Sequence, residues 1–328
     1  MTQLQQAQSG KPLANLSLDL DNEWAYLKTH GDPAWESYPS YLDVVVPRIL
    51  DVLTSRKLFI TVFVVGQDAA LEYNHSALAK IADAGHEIGN HSLRHEPWLH
   101  LFSENDLENE LAEAEKHIHA ATNKKPIGFR GPGYSQSPTM LQVLVRRGYA
   151  YDASSLPSFI GPLARAYYFA TGKFDDEQRE RLNRLFGSWK DGFRPLKPYY
   201  LRLGGVSLLE MPVTTFPIFR VPIHLSYVMY LAGFSTLLAK TYFSAALQAC
   251  KLFNVEPSIL LHPLDFLGGE DVPRLQFFPS MQLKKEQKVA LVEYCLDSLI
   301  RNFDVRTVGE HAAIVATREN LPEVEPGN

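Results

Sequence analysis

Cysteine is scarce in this chain, which contains only Cys250 and Cys295. Two cysteines far apart form neither a disulfide framework nor a C-x-x-C redox or zinc motif. The sequence therefore excludes a small disulfide-stapled domain and fits a reducing compartment. We interpret both thiols as small, buried apolar side chains.

Excess charge of one sign is also small, with 32 basic and 37 acidic residues giving a formal net charge of -5. No dense Lys/Arg cluster alternates with aromatic residues, so we expect no nucleic-acid partner. The first residues lack the basic region and apolar core of a secretory signal. We therefore expect a cytoplasmic location.

A long apolar run of membrane-spanning quality is missing as well. The longest uncharged stretch is Val221–Ala239, between Arg220 and Lys240, and its length approaches that of a bilayer span. However, Pro222 and Gly233 interrupt it, and its aromatic residues are scattered instead of gathered at the ends. We predict that it does not cross a membrane.

The chain contains 45% apolar residues, as a globular protein does. Short runs rich in Val, Ile and Phe alternate with segments in which apolar residues recur at helical spacing. This pattern predicts an α/β fold of repeated βα units around a mainly parallel sheet or barrel. We interpret it as a distorted (β/α) barrel of about seven parallel strands. The predicted strands are Leu16–Asp21, Phe59–Gly66, Glu87–Asn90, Ile127–Arg130, Leu208–Val213, Ile259–His262 and Val305–Val308. The predicted helices are Tyr41–Arg56, Ser76–Ala84, Glu104–Thr122, Pro138–Arg147 and Lys284–Asn302.

No repeat or linker divides the chain, which predicts one domain over about residues 16–315. A polar extension at 1–15 would precede it, and a flexible tail at 316–328 would follow. Two insertions, about 159–205 and 216–257, are rich in Tyr, Phe, Leu, Pro and Arg. We expect apolar helices there, which would either rest on a membrane as a peripheral contact or form a packed lid or dimer interface.

Two carboxylates end the first predicted strand, in the segment "LSLDLDN". Asp19 and Asp21 are two residues apart, so they point to the same side of the strand. Two such carboxylates at the end of an apolar strand repel each other unless a cation or a strong donor lies between them. The alternative is that both are solvated or cap the next turn.

The segment "NHSLRHE" contains two histidines four residues apart, His91 and His95. Two imidazoles and one carboxylate, with other positions left to water and substrate, compose an open catalytic metal site. Either histidine alone would fit an ordinary hydrogen-bonded residue. Together with the aspartate pair, they favour a metal.

Two further polar residues occur at predicted strand ends. In "GFRGPGYS", Arg130 ends a strand before a tight Gly-Pro-Gly turn, where it could reach a carboxylate in bidentate fashion. In "SILLHPLDF", His262 ends a strand and could act as acid or base near neutral pH, with Asp265 three residues later. The carboxyl ends of barrel strands carry active sites, so we expect these groups to meet.

The ordered set of motifs resembles the polysaccharide deacetylases with the NodB homology domain, over about residues 16–308. The matching elements are the aspartate pair, "HSLRH", "RGPGY" and "LLH", in that order. The resemblance implies a hydrolase that removes an N-acyl group from an amino sugar. It implies Asp21, His91 and His95 as ligands of a divalent metal, most simply zinc, although such a site also takes cobalt, nickel or iron.

The resemblance also implies catalytic roles for individual residues. Asp19 would be the general base, Arg130 would orient it, and His262 would be the general acid. Asp152 in "GYAYDASS" falls where the family carries an acidic residue that tunes the acid histidine, and Asp265 is the alternative for that role.

The aspartates differ from the usual adjacent pair, because Leu20 separates them. This D-x-D form, together with "LLEMPVTTFP", resembles the lipid-linked aminoarabinose deformylases and some peptidoglycan deacetylase relatives. It moves the expected substrate towards a lipid-linked or cell-envelope saccharide carrying an acetyl or formyl group. Two alternatives are a cytosolic hydrolase of a small cyclic amide, similar to allantoinase, and an inactive carbohydrate-binding relative.

Overall fold

A computed structural model describes residues 10–160 and 189–325 of the chain. Each of the seven predicted strands has a counterpart in it, within a few residues of the predicted bounds. The strands are β1 (Leu13–Leu20), β2 (Thr61–Val64), β3 (Glu87–Asn90), β4 (Gly128–Phe129), β5 (Tyr151–Asp152), β6 (Tyr199–Leu203), β7 (Val206–Glu210), β8 (Ser258–Leu261), β9 (Asp304–Arg306) and β10 (Glu323–Val324).

The strands form one mostly parallel sheet in the order β10-β6-β7-β5-β4-β3-β2-β1-β8, with β9 also paired to β1. The exception is the antiparallel pair β6–β7, joined by Gly204 and Gly205. Both glycines have positive φ, 56° and 87°, as a two-residue hairpin turn requires. The predicted α/β class is confirmed, although hydrogen bonds among the described strands do not close the sheet into a barrel.

Ten α-helices lie in the described residues. They are α1 (Glu23–His30), α2 (Leu42–Thr54), α3 (Gly66–Ala70), α4 (Glu72–Asp83), α5 (Glu104–Thr122), α6 (Pro138–Arg147), α7 (Leu225–Ala232), α8 (Thr236–Leu252), α9 (Lys285–Asn302) and α10 (Val308–Val315). The five predicted helices correspond to α2, α4, α5, α6 and α9, and α7 and α8 lie in the second insertion, where apolar helices were expected, whereas α1, α3 and α10 were not predicted. Capping residues set several bounds. Ser137 caps α6 by accepting from the N–H of Met140, and Gly148 ends it in the left-handed conformation.

The second insertion is helical and packs into the main core. Apolar side chains of α7 and α8, among them Leu225, Val228 and Phe243, are buried in the same cluster as the strand residues Leu16 and Leu18. Cys250 and Cys295 lie in this cluster as free thiols, which agrees with their interpretation as small apolar residues. This packing fixes the start of α7 against the sheet.

The described part of the first insertion differs from the prediction of apolar helices. Residues 161–188 lie outside the described residues, and Tyr199–Leu203 is strand β6 instead of helix. At the other end of the chain, β10 pairs with β6 within the segment expected to be a tail. Among the helices of residues 10–160 and 189–325, none is both long and apolar enough to cross a membrane.

Candidate metal centre

The polar residues singled out in the sequence follow one row of the sheet. The pairing register places Leu20 beside Val64, Val64 beside Asn90, Asn90 beside Phe129, and Phe129 beside Asp152. Asp21, His91 and Arg130 are each the next residue after a member of this row. Parallel strands therefore deliver these three side chains to one edge of the sheet, as the strand pattern predicts.

Asp21, His91 and His95 form the one cluster of metal-ligating side chains found in the described part of the chain. A ligand atom of each lies within 4.8 Å of the others. Asp21 Oδ1 is 3.4 Å from His91 Nε2 and 3.0 Å from His95 Nε2. Asp21 and His91 are buried, and His95 is partly buried. One carboxylate and two imidazoles are a donor set typical of an open zinc-type site.

The polar atoms of this cluster fit a bound cation. Burial would raise the pKa of Asp21, but the His95 and His91 imidazoles hold it well below its usual range. Asp21 Oδ1 is buried and makes no hydrogen bond to a described residue, although two ring nitrogens face it. A divalent ion shared by the three side chains would satisfy this oxygen.

The loop that carries the two histidines has a strained backbone, which is held by hydrogen bonds to one side chain of the loop and one of α5. Ser92 and His95 have positive φ, 65° and 53°, which is uncommon for residues other than glycine. Ser92 Oγ accepts from the His95 N–H at 3.2 Å, and the buried Glu110 Oε1 accepts from the N–H groups of Leu93 and Arg94 at 3.1 and 2.7 Å. Glu110 from α5 thus fixes the loop.

His91 is oriented from its second ring nitrogen. Its Nδ1 lies 2.7 Å from the Arg130 carbonyl oxygen, so Nδ1 carries the proton and Nε2 faces Asp21. This is the arrangement that metal-binding histidines usually have, because the hydrogen bond on one nitrogen directs the lone pair of the other.

Arg130 joins the aspartate pair to the rest of the site. Its Nη1 donates to Asp19 Oδ1 at 2.7 Å and to Ser17 Oγ at 2.9 Å, while Nε donates to the Ala153 carbonyl oxygen. The contact with Asp19 uses one nitrogen only, so the bidentate geometry expected from the sequence is not formed. Asp19 Oδ2 lies 3.9 Å from His91 Nε2, at the border of the cluster.

His262 follows β8 and has polar partners of its own. Its Nδ1 is 2.9 Å from Ser226 Oγ, and Ser226 Oγ donates to Asp265 Oδ1 at 3.0 Å. The backbone N–H of His262 donates to Asp265 Oδ2 at 2.8 Å. Of the two carboxylates that the sequence offered as support for His262, Asp265 is the one joined to it by hydrogen bonds.

Asp152 belongs to a different hydrogen-bonded group. Gln136 Nε2 donates to Asp152 Oδ2 at 2.9 Å and to Glu210 Oε2 at 3.0 Å, and Ser154 Oγ donates to Asp152 Oδ1. Burial raises the pKa of Asp152, and burial next to Asp152 raises the pKa of Glu210 well above its usual range. Two buried carboxyl groups side by side favour a shared proton. No hydrogen bond from Asp152 to His262 is found among the described residues.

Comparison with known proteins identifies a family that is similar to part of the chain. Residues 35–151 match the family model described as polysaccharide deacetylase. This segment is similar to the polysaccharide deacetylase family. The match contains His91, His95 and Arg130 but neither Asp19, Asp21 nor His262, which the sheet brings to the same edge from outside the segment.

Two curated bacterial proteins are similar to part of the chain. A peptidoglycan deacetylase of Helicobacter pylori is 28% identical over 130 residues, 40% of this chain and 42% of that protein. A peptidoglycan-N-acetylglucosamine deacetylase of Bacillus cereus is 29% identical over 103 residues, 31% of this chain and 46% of that protein. The chain thus spans less than half the length of the curated relatives it matches.

Solved structures extend the similarity of fold to nearly the whole chain. A Mycobacterium smegmatis protein described as a polysaccharide deacetylase has a TM-score of 0.65 at 19% identity, covering 98% of this chain and 96% of that one. An allantoinase has a TM-score of 0.55 at 15% identity, covering 96% and 94%. At these identities the two likenesses show the fold alone, and both agree with the family's α/β architecture.

Two site residues outside the family segment were missed by sequence reasoning, and both lie at the start of α7. Ser226 contacts His262, and the His224 ring centroid is 6.0 Å from that of His262. Burial, with His262 nearby, lowers the pKa of His224 to about 3, so this ring is neutral. The sequence showed only an apolar insertion here. No local motif marks these residues, because their position depends on how α7 packs.

Proposed function

We propose that this protein is a metal-dependent hydrolase that removes an N-acyl group from an amino sugar of a cell-envelope glycan or its precursor. The observation that carries the proposal is the Asp21, His91 and His95 cluster, within 4.8 Å, beside the buried Asp19–Arg130 pair. Names of the curated relatives support an N-acetylated peptidoglycan sugar as the substrate class.

In this proposal Asp21, His91 and His95 would hold the metal, with zinc the default for two imidazoles and one carboxylate. A cation bound there would supply Lewis acidity for the acyl carbonyl and a more acidic water. Asp19 would take the proton of the attacking water, and Arg130 would keep Asp19 oriented through the hydrogen bond to its Oδ1. His262 would give a proton to the amine nitrogen as the C–N bond breaks.

The oxyanion that forms on the acyl group also needs donors from the protein. One candidate donor is a backbone N–H between Gly131 and Tyr134. In this structure the Gly131 N–H donates to Ser154 Oγ at 2.8 Å, and the Tyr134 N–H donates to the Gly131 carbonyl oxygen at 3.0 Å. Neither of these two N–H groups is available in this conformation, so we propose neither as the donor.

The proposal is tested by loading the purified protein with zinc, cobalt, nickel or iron after chelation. Acetate and formate release would then be measured from N-acylated glycan fragments, lipid-linked saccharides and free amino sugars. Activity that needs the metal and disappears in His91→Ala/His95→Ala is expected, whereas His119→Ala, an exposed histidine of α5, should retain it. Full amide hydrolysis by the double variant would refute the site.

The same assay separates the alternatives. Hydrolysis of a cyclic amide without release of acetate or formate would favour an enzyme similar to allantoinase. Glycan binding by the metal-loaded protein without hydrolysis of any substrate would favour an inactive carbohydrate-binding relative.

We also propose that the second insertion contacts the inner face of a membrane and admits a lipid-linked saccharide. Large apolar side chains around it are exposed, including Phe219 at 66%, Phe234 at 72% and Leu237 at 74%. The aromatic rings of Tyr227, Tyr230 and Phe234 follow one another at centroid distances of 6.3 and 5.3 Å. An exposed apolar surface of this kind suits an interfacial contact.

Co-sedimentation with anionic phospholipid vesicles tests this contact. Phe234→Ser/Leu237→Ser should reduce vesicle binding, while Leu252→Ser, an exposed apolar residue at the far end of α8, should not. Wild-type protein that stays entirely in the supernatant would refute membrane contact. A lid or dimer interface would then be the function of this face.

A further inference from the structure

We propose that Ser226, in the second insertion, is a positioning residue that links Asp265 to His262 and fixes which ring nitrogen of His262 carries the proton. The catalytic part of this inference rests on the proposed function. The hydrogen-bond part does not, because it can be measured on the protein without a substrate.

The geometry places the Ser226 hydroxyl between two groups. Its oxygen is 2.9 Å from His262 Nδ1 and 3.0 Å from Asp265 Oδ1. Asp265 is 1% exposed and its other oxygen, Oδ2, accepts from the His262 backbone N–H at 2.8 Å. The Asp265 N–H donates to the His262 carbonyl oxygen at 3.0 Å.

A count of hydrogens assigns the direction of the two hydrogen bonds that Ser226 makes. A serine hydroxyl has one hydrogen to donate and can also accept. The hydroxyl donates its hydrogen to Asp265 Oδ1, so Ser226 Oγ must accept from Nδ1–H of His262. His262 Nδ1–H thus donates to Ser226 Oγ, and the Ser226 O–H donates to the Asp265 carboxyl group.

This direction leaves Nε2 as the reacting nitrogen. Among the described residues, no hydrogen bond to His262 Nε2 is found. In the reaction, the proton on Nε2 of the imidazolium would move to the amine nitrogen as the C–N bond breaks, and Nδ1–H would stay on Ser226. Asp265 would stay hydrogen-bonded to the hydroxyl throughout and stabilise the charged ring through it.

The insertion therefore has a role inside the site. Ser226 is the second residue of α7, and its neighbours Leu225 and Val228 are buried in the main core. Asp265 lies in the 3-10 turn Pro263–Asp265 directly after His262. The packing of α7 onto the sheet brings the hydroxyl to a histidine and an aspartate that are close to each other in sequence.

The test compares Ser226→Thr, which keeps the hydroxyl, with Ser226→Val, which has nearly the same shape without it. The tautomer of His262 is read by NMR on zinc-loaded protein with ¹⁵N-labelled histidine, at about pH 9, which is above the ordinary pKa of an imidazole. The His262→Gln variant identifies the signals. We expect the Nδ1–H tautomer in wild type and in Ser226→Thr, and a loss of that preference in Ser226→Val.

Kinetics supply the second measurement. Loss of a hydrogen bond to a charged ring should lower kcat about ten- to a hundredfold in Ser226→Val, with KM little changed, because Ser226 does not touch the substrate. Ser226→Thr should stay within about threefold of wild type. If Ser226→Val does not fold, Ser226→Ala removes the hydroxyl without adding volume.

Two results would overturn the inference. One is an Nε2–H tautomer of His262 in the wild type. The other is a Ser226→Val protein with the same tautomer and the same kcat as Ser226→Thr. If the wild type hydrolyses none of the N-acyl sugars, the proposed function fails, while the tautomer still decides whether Ser226 positions His262.

Discussion

Arg130 Nη1 lies 2.7 Å from Asp19 Oδ1, and the arginine side chain has no exposed surface. The guanidinium also stacks on the Phe63 ring, 4.3 Å from its centroid, and is fixed by Ser17 Oγ and the Ala153 carbonyl oxygen. This one buried cation holds the Asp19 carboxylate in a single orientation. Removing the cation would leave the carboxylate buried without its partner, which would strongly lower the free energy of unfolding.

Arg130→Met should therefore lower the free energy of unfolding by about 3 kcal/mol, because it leaves Asp19 charged and unpaired. The double variant Asp19→Asn/Arg130→Met should recover part of this loss, since the stranded charge is gone. Urea unfolding in the presence of a chelator measures both values. The control is Arg146→Met, a surface arginine paired with Glu104 and Glu108, which should cost much less. Equal costs for the two arginines would contradict the prediction.

Substitution of Asp21 should affect metal binding, whereas substitution of Asp19 should affect catalysis alone. Asp21 Oδ1 faces both imidazoles, whereas Asp19 is paired with Arg130. Asp21→Asn should lose most of the bound metal, and Asp19→Asn should keep about one metal per chain while kcat falls at least a hundredfold. Elemental analysis after dialysis, with acyl-release assays on the same samples, measures both. Metal loss in Asp19→Asn with retention in Asp21→Asn would reverse the two roles.

Glu110 should control metal affinity without touching the metal. Its Oε1 accepts from the N–H groups of Leu93 and Arg94, in the strained loop between the two histidines. Glu110→Ala should weaken metal binding about tenfold, because the loop loses two hydrogen bonds and the histidines lose their orientation. Glu110→Gln keeps an acceptor oxygen and should have a smaller effect. Competition with a chromophoric chelator measures the affinities, and equal effects of the two variants would count against this explanation.

Asp68 on α3 should make stability depend on pH. Burial raises its pKa to about 7 from a usual value of 3.8, although Asn22 and Trp24 donate to its Oδ1. The folded state thus keeps a proton that the unfolded chain releases. The contribution to stability is fully present below about pH 4 and is lost as the pH rises to about 7.

Asp68→Asn cannot titrate, so its free energy of unfolding relative to wild type should rise by up to about 1 kcal/mol for each pH unit across this window. Urea unfolding with a chelator at four pH values between about 4 and about 8 gives the difference. A constant difference between the two proteins would show that Asp68 has no raised pKa.

Much of the site could be predicted because strand ends are local features of the sequence. Asp21, His91 and Arg130 follow strands whose apolar residues and flanking turns are visible in the chain, and parallel pairing brings such positions to one edge. The motif order then supplied the family, which the match over residues 35–151 confirms. The short strands β5 and β10 were not predicted, since two residues carry no periodic signal.

The partners of these residues were harder to predict. The sequence left Asp152 and Asp265 as alternatives for the support of His262, and the structure joins His262 to Asp265 through Ser226. It pairs Asp152 with Glu210 and Gln136 instead. The spacing of Asp265, three residues after His262, was visible, but nothing in the sequence indicated a serine 36 positions earlier as the link.

The sequence by itself determined the fold class and the polar residue types at the carboxyl ends of its strands, because alternating apolar runs specify strands and helices locally. Only the tertiary structure decided that Arg130 binds Asp19 with a single nitrogen and that α7 places Ser226 against His262. Those contacts depend on how buried side chains of distant segments pack together. Close packing fixes such distances to a fraction of an ångström, and no local pattern in the chain encodes them.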